Sequence, residues 1–223
     1  MNDQAKRRLR FLAAFVGLFA VVWFLWDTPF VYPVKLFVVL LHEISHGLAT
    51  LATGGRILAI EVTPREGGLC RCPGGNAFLS LSAGYLGSLL WGGLMIWSAE
   101  RFPTLSSWFS AVLAATVGGM TLLFAQQSFA VAFGLAFSAA LLAVAWRASA
   151  AVNRVLLTAL GLTSCLYAVL DIKSDILDRP ELRSDARMLA ELTGVPTLVW
   201  GGLWIGIALL FCFVLFRWAW RRA

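Results

Sequence analysis

The sequence predicts an all-α polytopic membrane protein of six or seven transmembrane helices, with a short strand-containing loop after the second. Three observations carry this expectation. The 223 residues are 60% hydrophobic and 13% charged, with a mean hydropathy of +0.80, whereas a soluble domain carries about 45–50% apolar and about 25% charged residues. The apolar residues gather into windows close to the roughly 20 residues that cross a bilayer as a helix. The Lys and Arg residues, 18 against 12 acidic ones, lie mostly at the ends and in the loops. The net charge of +6 therefore reads as a set of topology signals, and a nucleic-acid partner is not expected. An ordinary soluble enzyme, a disordered tail and a coiled coil are excluded on the same composition.

Seven windows follow in order. The first, residues 9–26, trails the basic cluster Lys6 to Arg10 and is too long for a signal-peptide core, so it reads as an uncleaved span. The second covers 34–53 and contains HEISH at 42–46. A polar, Gly-rich connection follows over 54–76, and its β-branched ILAIEV at 57–62 suggests a strand. The remaining windows are 78–98, 106–124, 129–146, 152–170 and 197–218; only Gln126 and Gln127 separate the fourth from the fifth. Between the last two lies the most charged stretch, 171–191, where Ser184 can cap a short surface helix, DARMLAELT, ended by Gly194 and Pro196. No repeat or composition break divides residues 1–223, which read as one domain. With seven spans, eleven of the eighteen basic residues fall on the side of the N-terminus, the 54–76 loop and the 171–191 segment. That side is expected to be cytoplasmic. The basic tail of Arg217, Arg221 and Arg222 favours six spans instead.

The chemistry concentrates in the second window. Two His four residues apart project from one face of a helix about 6 Å apart along its axis, close enough to grip one ion. A Glu beside the first His then lies near the open coordination position and is placed to take a proton from bound water, the arrangement of zinc hydrolases. His42, Glu43 and His46 fit this pattern, and His42 and His46 are the only His in the chain. Ionisable groups inside an apolar span cost about 2.5–3.5 kcal/mol each on insertion scales, which makes them functional candidates. Zinc in a catalytic site takes three protein ligands. With no third His, the remaining ligand must be a carboxylate or thiolate at the same membrane depth. Asp171, at the end of the sixth window, is the first choice and Asp175 the alternative; Asp27 and Asp185 are weaker candidates. The four Cys imply no disulfide framework, and the C-x-C of Cys70 and Cys72 reads as structural or incidental.

HEISHG at 42–47, TGGRI at 53–57, SAGYLGS at 82–88 and the late LDIKSD at 170–175 with SDA at 184–186 together resemble the site-2 protease family of intramembrane zinc metallopeptidases. The resemblance is closest to its compact bacterial, peptidase M50B-like branch and covers the chain from the second window to the start of the last. It implies one Zn2+ per chain held by His42 and His46, with Glu43 activating the water and a late-span Asp, at the place of Asp171, completing the site. It also implies that the polar loop after the zinc helix pairs with an unwound transmembrane protein substrate in the bilayer. Gly84, Tyr85, Gly87 and Ser88 align with a substrate-lining motif. Close helix packing is an equal reading for Gly84 and Gly87. Two departures stand out: Ser88 replaces the Asn that serves the oxyanion, and Ile172 rather than Gly follows Asp171. The expected activity is hydrolysis of a peptide bond in or next to a membrane helix. The alternatives are a zinc hydrolase of an amphiphilic non-peptide substrate and a non-catalytic relative that binds membrane helices.

Overall fold

A computed structural model describes residues 3–26, 28–179 and 183–222; Asp27 lies outside the described residues. The helices are α1 (Asp3–Phe24), α2 (Tyr32–Ala52), α3 (Ala77–Arg101), α4 (Ser106–Phe124), α5 (Ser128–Arg147), α6 (Ala150–Lys173), α7 (Asp185–Thr193) and α8 (Thr197–Arg222). Two strands, β1 (Ala59–Val62) and β2 (Gly68–Arg71), form an antiparallel hairpin between α2 and α3. Among the described residues, α2, α3, α4, α5, α6 and α8 are long and apolar enough to cross a membrane. The apolar stretch of α1, Phe15–Phe24, rises only about 15 Å. The described residues therefore carry six spans of the expected six or seven.

Local chemistry accounts for most boundaries. Asn76 accepts from the Leu79 amide at the start of α3, Ser149 from Val152 at α6, and Ser184 from Arg187 at α7. Each satisfies a backbone N–H that the first helical turn leaves without a partner. Gly194, with φ +73°, ends α7 in the left-handed conformation that glycine adopts most easily. The window expected at 152–170 runs further: α6 reaches Lys173 and passes into a π-helical turn, Ser174–Asp178. Asp171 and Asp175 therefore lie on continuous helical backbone.

Helix α2 is the most enclosed of the six spans. Leu36 to Leu41 and Ile44 are buried around it against α3, α4, α5 and α6. Because α3, α4 and α5 intervene, α2 and α6 run in the same direction, which brings the C-terminal half of α2 level with the end of α6. The α3–α6 crossing is tight. A Cβ on Gly161 would stand 2.7 Å from the Gly92 carbonyl, and one on Gly92 would stand 2.7 Å from the Gly161 carbonyl. The Ser164 hydroxyl donates to the Ser88 carbonyl at 2.7 Å beside this contact. Small residues permit such backbone approach where no water drives association. Gly161→Ala is expected to destabilise the protein by about 1–3 kcal/mol through overpacking, read as a lower thermal unfolding midpoint in detergent.

The hairpin is tied down on three sides. Ile60 bridges in parallel to Ala125, the Gln126 side-chain amide donates to the Leu58 carbonyl at 3.0 Å, and the Gln127 amide donates to Glu61 at 2.7 Å. The weak polar break between the fourth and fifth windows is thus the seat of β1. At the tip, the Tyr32 hydroxyl donates to the Pro64 carbonyl, and Lys35 pairs with Glu66 at 2.9 Å while lying over the Trp26 ring. Along α2, Gly47 leaves room for Ile57 and Cys70. The hairpin consequently lies lengthwise against α2, with β2 over the HEISH face.

The segment read as a surface helix is partly a packing element. In α7, Ala186 and Leu189 are fully buried with Tyr85, Ile172 and Trp204, between α3 and α8. That docking fixes the start of α7, and with it Asp185.

Candidate metal centre

On α2, the helical repeat places His42 and His46 side by side, with ring centroids 4.7 Å apart. Their Nε2 atoms meet the same carboxylate oxygen: Oδ2 of Asp185 lies 3.0 Å from Nε2 of His42 and 3.1 Å from that of His46. The ligand atoms of His42, Glu43 and His46 also lie within 4.8 Å of one another. Two atoms bound to one tetrahedral zinc at about 2.0–2.1 Å stand about 3.3 Å apart. The two Nε2–Oδ2 separations are close to those that a shared ion imposes, and the chemistry of the donors, two imidazoles and a carboxylate, is that of a zinc hydrolase site.

The other ring nitrogens are accounted for. Nδ1 of His46 donates to the Ser80 carbonyl at 2.7 Å, which fixes the tautomer and leaves the Nε2 lone pair for a metal. Nδ1 of His42 faces Asp171, whose Oδ2 is 3.8 Å away. Asp171, expected as the third ligand, thus lies on the opposite side of the imidazole from the shared point. Asp175, the alternative, accepts from the Tyr85 hydroxyl and pairs with Arg179 at 3.2 Å. Asp185, the weaker candidate by sequence, is the carboxylate that reaches both Nε2 atoms. Its register explains why: it is the first residue of α7, directly after the Ser184 cap, and the buried Ala186 and Leu189 turn that end inward.

Glu43 is held from the hairpin side. The bare Gly68 lies so close that a Cβ there would collide with Oε1 of Glu43. Gly84 of α3 has a comparable place on the other side, since a Cβ would run into both Nε2 atoms. Its smallness keeps the shared point open. Gly84→Ala is expected to weaken metal binding by about 5- to 150-fold, the equivalent of the roughly 1–3 kcal/mol of overpacking, read by chelator competition.

Of the expected lining residues, Tyr85 and Ser88 are buried and Gly87 is half-buried, and none of the three borders the cavity. Tyr85 stands edge-on to His42 and packs on Trp204. Gly87 makes room for Ser45. The Ser88 hydroxyl, fully buried, donates to the Gly84 carbonyl. These three support the wall from behind. The cavity itself, about 550 Å³, is bounded by His42, Glu43 and His46, by β2, and by the segment containing Asp171, Asp175 and Asp185. Sequence reasoning missed Ser80, Gly68 and the whole of β2. GLCR carries no alternation of apolar and polar residues, and only the antiparallel register Ala59–Arg71 to Val62–Gly68 defines it. Cys70 and Cys72, read as structural or incidental, are joined by a disulfide at the cavity wall.

Comparison with curated proteins and with solved structures gives no match. A family model does match, that of the peptidase M50B-like family, over residues 14–215. The match runs through the zinc-hydrolase motif, the glycines of α3, the Asp residues of α6 and α7 and most of α8, and the six apolar helices agree with a multi-pass membrane protein. The chain belongs to the peptidase M50B-like family, whose members are of membrane metallopeptidase type.

Proposed function

We propose that the protein is an intramembrane zinc peptidase that hydrolyses a peptide bond in or next to a membrane helix of a transmembrane substrate, with His42, His46 and Asp185 as the zinc ligands. The observation that carries this reading is the convergence of two Nε2 atoms and Oδ2 of Asp185 beside Glu43 on one wall of the cavity. Zinc, when bound, lowers the pKa of a coordinated water toward about 7 and polarises a carbonyl.

The chain supplies the rest. Glu43 accepts the proton of the attacking water and passes it to the departing amine, and Gly68 of β2 packs against the carboxylate that makes both transfers. Ser80 holds the His46 ring, while Asp171 faces Nδ1 of His42 as the carboxylate that orients it. The apolar walls contributed by α2 and α3 exclude lipid. A peptide substrate is favoured over another amphiphile by β2: β1 lies on one side of it, and among the described residues no strand pairs with its other edge. An unwound peptide could add there as a further strand, its backbone satisfied by that edge.

The test uses purified protein in liposomes with a library of single-span helical peptides. Zinc-dependent cleavage within or beside the helical segment, lost when the peptide's backbone amides flanking the scissile bond are N-methylated and cannot pair with a strand edge, supports the reading. Cleavage that proceeds equally in the N-methylated peptide, or hydrolysis of lipid esters alone, overturns it in favour of a non-peptide substrate.

A further inference from the structure

Helices α1 and α8 meet at the end of the bundle away from the metal centre. Helix α8 runs alongside α3 in the same direction: Trp200 stands edge-on to Phe78 at 5.5 Å, Trp204 packs on Tyr85 at 5.0 Å, and Phe211 fills the space that Gly93 leaves. Its last turns are therefore level with Arg101 at the end of α3, about 25 Å along that helix from Gly84. Helix α1 runs the other way along α8. Phe15 meets Phe216 at 5.0 Å, and Arg8, about two turns nearer the N-terminus, lies over the Trp220 ring at 5.8 Å. The N-terminus and the cavity, expected on one side of the membrane, thus stand at opposite ends of the spans.

This placement redistributes the charge. At the end away from the cavity, α1 brings Lys6, Arg7, Arg8 and Arg10, and α8 brings Arg217, Arg221 and Arg222. The ends of α3 and α5 and the start of α6 add Arg101, Arg147 and Arg154, which makes ten basic residues. The cavity end has seven, all within the 54–76 and 171–191 stretches, and Lys35 is buried against Glu66. Among the described residues only Asp3 and Glu100 are acidic at the basic end, and Glu100 is paired with Arg154 at 2.7 Å. Indole rings frame the same end: Trp108 at the start of α4 and Trp146 at the end of α5 are 72% and 75% exposed, and Arg222 lies over Trp218. Trp settles at headgroup level, Lys and Arg stay on the cytoplasmic side, and anionic lipids of that leaflet attract them. The Cys70–Cys72 disulfide borders the cavity at the other end, and such bonds persist on the oxidising side of a membrane.

We propose that the basic end rests on anionic phospholipid headgroups of the cytoplasmic leaflet, and that the metal cavity opens on the opposite, non-cytoplasmic face. Seven spans would put eleven basic residues on the cavity side; the contacts of α1 with α8 carry four of them across. On the zinc-peptidase reading, on which this consequence rests, the bond that is cut lies toward the outer end of the substrate helix. The orientation itself depends on neither metal nor cleavage, so its test reads accessibility alone.

Full-length protein is produced in bacterial cells with one added reporter cysteine, Thr104→Cys between α3 and α4 or Glu191→Cys on α7, both at exposed positions. Intact and permeabilised cells are treated with a membrane-impermeant maleimide, and the labelled residues are identified by mass spectrometry. In intact cells Glu191→Cys is expected to label at least about tenfold more than Thr104→Cys, which should label only after permeabilisation. Replacing Lys6, Arg7, Arg8 and Arg10 together by Gln leaves six basic residues at that end against seven at the cavity, and should expose Thr104→Cys to the label in part of the chains. Labelling of Thr104→Cys in intact cells that carry no other substitution, protection of Glu191→Cys there, or an orientation that the four neutralised charges leave unchanged would each overturn the proposal.

Discussion

Glu43→Gln is expected to leave zinc affinity within about twofold of wild type while lowering the rate of peptide cleavage by about 10²–10⁴-fold, the usual contribution of a positioned general base. The separation of the two effects follows from the geometry. Glu43 is pressed by Gly68 on the hairpin side, whereas the Nε2 atoms of His42 and His46 meet Oδ2 of Asp185. The amide of Gln fills the same space but cannot accept the proton of water at neutral pH. Zinc content by elemental analysis and initial rates on a helical peptide in liposomes check both halves. A cleavage rate that Gln sustains would remove Glu43 from the proton transfer, and a parallel loss of zinc would make it a ligand.

The second large effect separates the carboxylates. Structural zinc sites with four ligands gain about 10–16 kcal/mol on binding, or about 2.5–4 kcal/mol per ligand. Asp185→Ala is therefore expected to weaken zinc binding by about 10²–10³-fold. Asp171→Ala removes a group 3.8 Å from the far ring nitrogen of His42, and groups that orient a ligand are worth about 10–100-fold; its geometry points to the lower end, about tenfold. Asp175→Ala breaks only the contacts to Tyr85 and Arg179 and should change affinity by less than Asp171→Ala. Competition against a fluorescent zinc chelator ranks the three. The order Asp185, Asp171, Asp175 is the expected one, and a greater loss at Asp171 than at Asp185 would restore the late-span Asp as the ligand.

What was legible in the sequence is what is local. His42, Glu43 and His46 lie on one helix, so a spacing of four residues already fixes their common face. The windows of apolar residues mark the spans because a bilayer enforces length. Asp185 was obscured because its function depends on tertiary docking: on its own, an Asp after a Ser cap reads as a partner for the helix dipole. The signal was present in Ala186 and Leu189, three apart on α7, whose burial with Tyr85 and Trp204 turns the helix start toward α2. Asp171 attracted the assignment because it ends an apolar span, but the helix continues through Asp178, and the side chain at that register meets the wrong edge of the imidazole. β2 was hidden for a related reason. GLCR becomes a strand through pairing with β1, and its role comes from lying on α2 at Gly47 and Glu43. Gln126 and Gln127, which read as a faint gap between two spans, hold the outer side of that hairpin.

X-ray absorption at the zinc edge of the purified full-length protein tests the central claim most directly. The account predicts one zinc per chain with two imidazoles and oxygen scatterers at about 2.0–2.2 Å and no sulfur, and loss of oxygen scattering or of the metal itself in Asp185→Ala. A sulfur shell at about 2.3 Å, or an absorption spectrum in Asp185→Ala identical to that of the wild type, would contradict it.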